Sequence, residues 1–327
     1  MDFKRLAQLD IGSLLLKAVS DKYRALTALF VIGMVATIVA PAFASGRNLS
    51  FIVVQGSVIG VIALGSTLVI LAGSIDLSPA AVAVLAGIVA VSNLGKGSVP
   101  ELMGALALAL ALSFGLGVFN GLLVVLGKIP SIIATLGTSL AIAGFSFYYT
   151  KGAGMTVTSL PYAAISNGTF AGLSNMIWML ILTTVVVQFF LTFTKVGRHV
   201  FALGSNELAA VYSGIRNSTL KVLVFGVAGL LAGLGGIMLT SQVSSVYPGL
   251  MTGYEISAIA AVVVGGTKLM GSAGEGSAWQ TLVGAVVLAL IANALIVTGV
   301  SGYLQQFVTG AIIILATLRT SRDRIIK

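Results

Sequence analysis

The chain has no cysteine, a single histidine, and charge on only 8% of its 327 residues. Without cysteine there is no disulfide, no thiolate metal centre and no cysteine nucleophile. His199, between Arg198 and Val200, has no second histidine or cysteine with which to share a metal ion. It reads as a solvated or interfacial side chain, so no catalytic residue and no metal ligand is assigned. An intramembrane serine protease would need a histidine beside its serine within the bilayer, and His199 lies outside it. No G-x-x-x-x-G-K-[ST] run occurs, because Lys96 and Lys128 follow glycine but precede Gly97 and Ile129. The chain therefore has no phosphate-cradling loop of its own. The shortage of charge excludes most: a soluble domain averages about 25% charged residues.

What is present is apolar. Hydrophobic residues make up 57% of the chain, and mean hydropathy is +1.09. Stretches 52–72, 102–126 and 281–298 contain no Asp, Glu, Lys or Arg. Each is long enough to cross a hydrocarbon core of about 30 Å as a helix. Ten such segments are predicted, near 24–43, 51–72, 78–95, 101–126, 130–149, 176–194, 220–242, 255–268, 279–298 and 303–318. The third and eighth are short and rich in Ala and Gly, and eight spans with two re-entrant pieces is the alternative. The expected fold class is an all-α integral membrane protein of about ten transmembrane helices. Residues 24–318 form one polytopic domain, between a segment at 1–23 without a signal-peptide pattern and a basic tail at 319–327.

The net charge of +9 follows membrane orientation rather than nucleic acid. With the N-terminus in the cytoplasm, fifteen of the eighteen Lys and Arg residues fall inside, and only Arg47, Lys96 and Lys151 outside. That is the positive-inside pattern, with both termini cytoplasmic. Ser78-Pro79 and Ile129-Pro130 read as helix starts. The pairs Gly117/Gly121 and Gly229/Gly233 allow close helix–helix approach in lipid. Ten spans divide into five and five, which would place two halves upside down relative to each other. A faint echo supports this division: a glycine turn and a small-residue helix follow both 52–72 and 255–266.

Polar groups within the spans are few. Gln55, Asn120, Thr138 and Asn293 are the candidates to line a translocation path, since amides and hydroxyls can replace the water around a polyol. The competing reading is hydrogen bonding between helices, at about 0.6–2 kcal/mol each. Asp76 and Glu255 stand at span ends, where capping and the helix dipole account for a carboxylate, with gating as the functional reading. An ion-coupled secondary transporter or channel, the rival function, needs acidic or histidine groups at mid-membrane depth, which the spans lack. The loop at 150–175 reads as an ordered surface loop or a small interfacial structure.

The inner loop at 195–219 is different. Its middle reads as a short helix that Ser205 or Asn206 would cap, with Glu207 near the positive end of its dipole, Leu208 and Val211 or Tyr212 on one face, and Gly214 as its stop. A helix this short is marginal alone, so it packs on its own bundle or on a cytoplasmic partner.

Four blocks make the chain resemble a known family. They are Leu71-Ala-Gly-Ser-Ile-Asp-Leu-Ser78, Ile133-Ala-Thr-Leu-Gly137, Phe201-Ala-Leu-Gly-Ser-Asn-Glu-Leu-Ala-Ala210 with Ser213-Gly-Ile215, and Gly253-Tyr-Glu-Ile-Ser-Ala-Ile-Ala-Ala-Val-Val-Val-Gly-Gly-Thr267. In this order they resemble the inner-membrane permease subunits of bacterial ATP-binding-cassette importers for monosaccharides, the ribose- and xylose-type family. The resemblance implies a non-catalytic permease, paired with a second copy or a pseudo-dimer mate. A periplasmic sugar-binding protein would deliver substrate, and separate cytoplasmic ATPase subunits would hold ATP and Mg. It also makes 195–219 the coupling loop, through Gly197, Arg198, Leu203, Gly204, Asn206, Glu207, Ala210 and Gly214. The chain departs from the family pattern at Ser257 and in the turn at 268–276.

Overall fold

The computed structural model describes residues 24–95, 98–268 and 276–300, together with Leu304, Phe307, Gly310 and Ala311. In chain order its helices are α1 (Arg24–Val39), α2 (Gly46–Leu71), α3 (Pro79–Ser92), α4 (Val99–Val125), α5 (Ser131–Thr150) and α6 (Leu160–Asn167). There follow α7 (Asn175–Phe193), α8 (Lys195–Ser205), α9 (Glu207–Tyr212), α10 (Asn217–Val243), α11 (Tyr254–Gly265) and α12 (Ala278–Val297). Six of these, α2, α4, α5, α7, α10 and α12, are long and apolar enough to cross a membrane. The protein is a multi-pass, mostly helical membrane protein. The tenth predicted segment, 303–318, lies outside the described residues except for Leu304, Phe307, Gly310 and Ala311, which are helical.

Two predicted spans come out short. Helices α3 and α11 have 14 and 12 residues, which gives lengths of about 21 and 18 Å, less than the ~30 Å core. Each follows a long buried helix through an irregular turn: α3 follows α2, and α11 follows α10. The sequence echo pairs the halves differently, matching 255–266 with 52–72; the long-then-short pattern recurs at α10–α11 instead. Glycines at both ends of each predicted segment hid this, because a Gly-rich apolar run reads equally as helix or as turn.

Helix α10 is the hub, packed against α2, α3, α4 and α6. The apolar windows of α2 and α10 are 78% and 72% buried, against 22% for α5, so the long pair forms the core and α5 lies at its edge. The two glycine pairs face each other across the α4–α10 seam. A methyl group on Gly117 would run into the carbonyl of Phe225, and one on Gly229 into that of Ser113. Backbone meets backbone there, which is how apolar helices associate when lipid offers no hydrophobic contrast. Polar pairs stitch α2 to α12. Thr67 and Thr281 share a hydroxyl bond of 2.6 Å, and the Asn48 and Asn293 amides bond each other in both directions at 2.9 and 3.0 Å.

The loop at 150–175 folds as a cap on the far end of α10. Strand β1 (Met155–Thr156) pairs antiparallel with β4 (Ser245–Val246), while β2 (Thr169–Phe170) and β3 (Leu173–Ser174) form a hairpin. Helix α6, capped by Ser159, bonds to α10 through Tyr162 Oη to Thr240 Oγ1 at 2.6 Å and Ser166 Oγ to the Met238 carbonyl at 2.7 Å. Ser241 Oγ donates back to the Tyr162 carbonyl at 2.7 Å. Burial pushes the Tyr162 phenol up from 10.0 to about 12, against a smaller lowering by its Thr240 bond. A raised folded-state value contributes stability that is complete below pH 10 and lost as the pH rises from about 10 to 12, at about 1.4 kcal/mol per unit. Thermal midpoints measured across that window should fall more steeply for the wild-type chain than for Tyr162→Phe, and parallel curves would contradict this account.

Candidate functional site

The segment between α7 and α10 is two helices, not one. Thr194 caps α8, its Oγ1 accepting from the Gly197 amide at 2.9 Å. Gly197 lies flat on the end of α7, where a methyl group would meet the carbonyls of Phe190 and Leu191. Val200 and Leu203 point into the core, while Lys195, Arg198 and His199 are exposed. Asn206 caps α9 as expected, Oδ1 accepting from the Ala209 amide at 3.0 Å. Gly214 ends the segment at φ +80. The sequence signal for α8 was weak because Gly197 and Gly204 lower its helix propensity. Its amphipathic packing overrides that.

The two readings of this loop divide between its helices. Helix α8 packs on the bundle, against α2, α7 and α10. Helix α9 turns only Ala210 inward and leaves Leu208, Val211 and Tyr212 at 71%, 52% and 89% exposure. Glu207 opens α9, where its charge suits the helix dipole. It also reaches Lys221 on α10 with an ion pair of 2.7 Å, and Asn217 Nδ2 donates to the Glu207 carbonyl at 3.2 Å. These links hold α9 in a fixed pose with an apolar edge outward.

Helix α8 also touches the turn between α2 and α3. Gly204 Cα lies 3.6 Å from where a methyl group on Gly73 would stand, and Gly73 takes φ +75. That turn presents its amides to α5. Ile75 N–H donates to Ser131 Oγ at 3.1 Å and Leu77 N–H to Thr135 Oγ1 at 3.0 Å. Asp76 Oδ1 accepts from Ser78 N–H at 2.8 Å and Ser78 Oγ at 2.7 Å, so it supports the start of α3 as a helix-end carboxylate. Ser78 Oγ accepts from Asn120 Nδ2 at 2.8 Å, and Asn120 Oδ1 accepts from Thr138 Oγ1 at 2.6 Å. A continuous polar network thus joins the turn beneath α8 to α4 and to the N-terminal half of α5.

The four path candidates fall in different places. Asn120 and Asn293 are fully buried, and their amides bond other helices rather than facing open space. Thr138 is half-buried on α5, and Gln55 is half-buried on α2 with no hydrogen bond to another described residue. Glu255, whose Oε2 accepts from the Gly253 amide at 3.2 Å, stands elsewhere. With Ser139, Ser146 and Thr252 it lines a cavity of about 170 Å³ between α3, α5 and the entry to α11. These four polar groups stand on otherwise largely apolar walls, in an opening beside α5.

A family profile for the permease component of branched-chain amino acid transport systems matches residues 48–317. The chain belongs to this permease family. It is 38% identical over 306 residues to the ribose import permease protein RbsC of Escherichia coli K12, covering 92% of this chain and 94% of that protein. It is similarly 37% identical to RbsC of Haemophilus influenzae over 301 residues, covering 90% and 91% of the two chains. Against RbsC of Bacillus subtilis the identity is 36% over 302 residues, covering 92% of each.

Within the permease, Ser131 joins the network unforeseen, and Ser78, expected only as a helix start, joins it through its hydroxyl. The signal for Ser131 was present: Ser131, Thr135 and Thr138 follow one another at four and three residues, one face of a helix. The partner of Asn293 had no such signal, because Asn48 is 245 positions away in the chain.

Proposed function

We propose that this permease is the membrane-spanning subunit of an ATP-driven importer for ribose or a closely related monosaccharide. The observation that carries the reading is α9, an apolar edge of Leu208, Val211 and Tyr212 held outward by the Asn206 cap and the Glu207–Lys221 pair. Such an edge suits the groove of a partner protein. The partner is a cytoplasmic ATPase subunit, which binds ATP and Mg. A periplasmic sugar-binding protein delivers the substrate on the opposite side, and a second permease copy completes the path.

Force applied to α9 passes through α8 to the Gly73 turn, and from there along the Asp76–Ser78–Asn120–Thr138 bonds to α5. Helix α5 is the edge helix of the bundle and borders the cavity at Glu255, so its tilting would open that cavity to one side. Asp76 and Glu255 act as helix-end groups at the two ends of this moving part. Neutral hydroxyls such as Ser139 and Ser146 suit a polyol. An amino acid zwitterion would want charged partners at both ends. Ten membrane segments in two inverted halves, the short α3 and α11 among them and both termini cytoplasmic, are supported by the positive-inside count and by the repeated long-then-short pairs α2–α3 and α10–α11.

Uptake of labelled ribose into membrane vesicles tests the energy source. With the ATPase and binding protein present, transport should require internal ATP and persist after proton and sodium gradients are collapsed. Transport driven by an ion gradient without ATP would favour a secondary transporter instead.

A further inference from the structure

One cavity serves neither the α8–α9 segment nor the opening at Glu255. A cleft of about 570 Å³ runs along the outside of the bundle between α3, α4 and α5. Its walls are apolar, with Leu112 and Phe119 of α4 across from Ala141 and Phe145 of α5. Polar groups stand only at its ends. Thr138 lies at the deep end, where its hydroxyl is already given to Asn120, and Asn93 and Tyr149 lie at the mouth. A polyol in such a cleft would give up its hydrogen bonds to water with nothing in return, so the transported sugar is a poor fit.

The dimensions suit a different occupant. From Thr138 to Tyr149 helix α5 rises about 16 Å, and one leaflet of a ~30 Å hydrocarbon core is about 15 Å deep. The cleft therefore has the length of one leaflet and ends where the headgroup region begins. Tyr149 at the mouth is placed as an interfacial aromatic. Two residues beyond it, Lys151 terminates α5 in the left-handed conformation, exposed and paired with no carboxylate among the described residues. An ammonium group at that level complements a phosphodiester.

We infer that the cleft retains one acyl chain of an anionic phospholipid whose phosphate sits at Lys151. The chain fills the side of α5 that no described helix covers and braces this edge helix against α3 and α4. Assigning the lipid to the outer leaflet rests on the orientation proposed above; the binding itself does not.

The test uses the purified full chain, washed in mild detergent to strip bulk lipid and then extracted for mass spectrometry. Wild-type protein should keep at least one phospholipid per chain, with phosphatidylglycerol enriched over its share of the membrane. Ala141→Trp fills the cleft from α5 and should lower the retained lipid several-fold. Leu112→Trp does the same from α4, so a folding defect in one variant leaves the other to decide. Lys151→Glu should leave the amount of retained lipid unchanged but abolish the preference for phosphatidylglycerol over phosphatidylethanolamine. Equal retention by the wild type and both tryptophan variants overturns the inference. So does disulfide formation between two copies carrying Ala141→Cys, since a second copy would then fill the cleft. The chain has no other thiol to confuse that result.

Discussion

Glu207→Arg combined with Gly204→Trp should reduce sugar uptake on the order of tenfold or more, within the range of typical coupling free energies between sites. The permease should remain folded in the membrane. Trp at 204 adds bulk to the stretch of α8 whose Cα lies 3.6 Å from where a methyl group on Gly73 would stand, and it should lift α8 off the α2–α3 turn. Arg at 207 turns the pair with Lys221 into a repulsion and frees α9 from its pose. The exposed ion pair alone is worth about 0–1 kcal/mol, so the substitution acts on orientation more than on overall stability. Uptake and the amount of ATPase co-purifying with the permease are the two measurements. If both match the wild type, α8 and α9 do not couple anything.

Gly229→Leu should lower the thermal midpoint in detergent and the yield of monodisperse protein more than any change on α9. Overfilling a packed core costs about 1–3 kcal/mol when side chains can yield. Here the first added carbon meets the Ser113 carbonyl and the Gly117 backbone, which cannot rotate aside. The cost therefore lies at or above the top of that range. Gly115→Leu is the matched control, because that glycine lies on α4 with open space where a side chain would go. Equal behaviour of the two variants would remove the α4–α10 seam from its place at the centre of the fold.

The sequence carried the long spans and the glycine seam well, since hydropathy and the four-residue glycine spacing are both local. It carried the capping residues Asn206 and Gly214 for the same reason. It failed where the deciding partner is remote. Burial of Asn120 and Asn293 was foreseeable from the cost of an amide in lipid, but that cost says only that a partner exists. A pore-lining role and an interhelical bond look identical until Ser78, Thr138 and Asn48 are located in space. The short helices α3 and α11 fall between the two expectations, full spans or re-entrant pieces, because composition cannot tell a Gly-rich turn from a continuing helix. The exposed edge of α9 could be listed from the sequence as Leu208, Val211 and Tyr212. Its outward direction comes only from the Glu207 and Asn217 contacts with α10.

Since α10 meets α2, α3 and α4 through close glycine contacts and is clamped at its far end by α6, damage there has nowhere to relax. Random mutagenesis of this gene under selection for growth on the sugar should sort its defects geographically. Lesions along α10 would deplete the membrane of the protein, whereas lesions along α5, α8 and α9 would leave it abundant but idle.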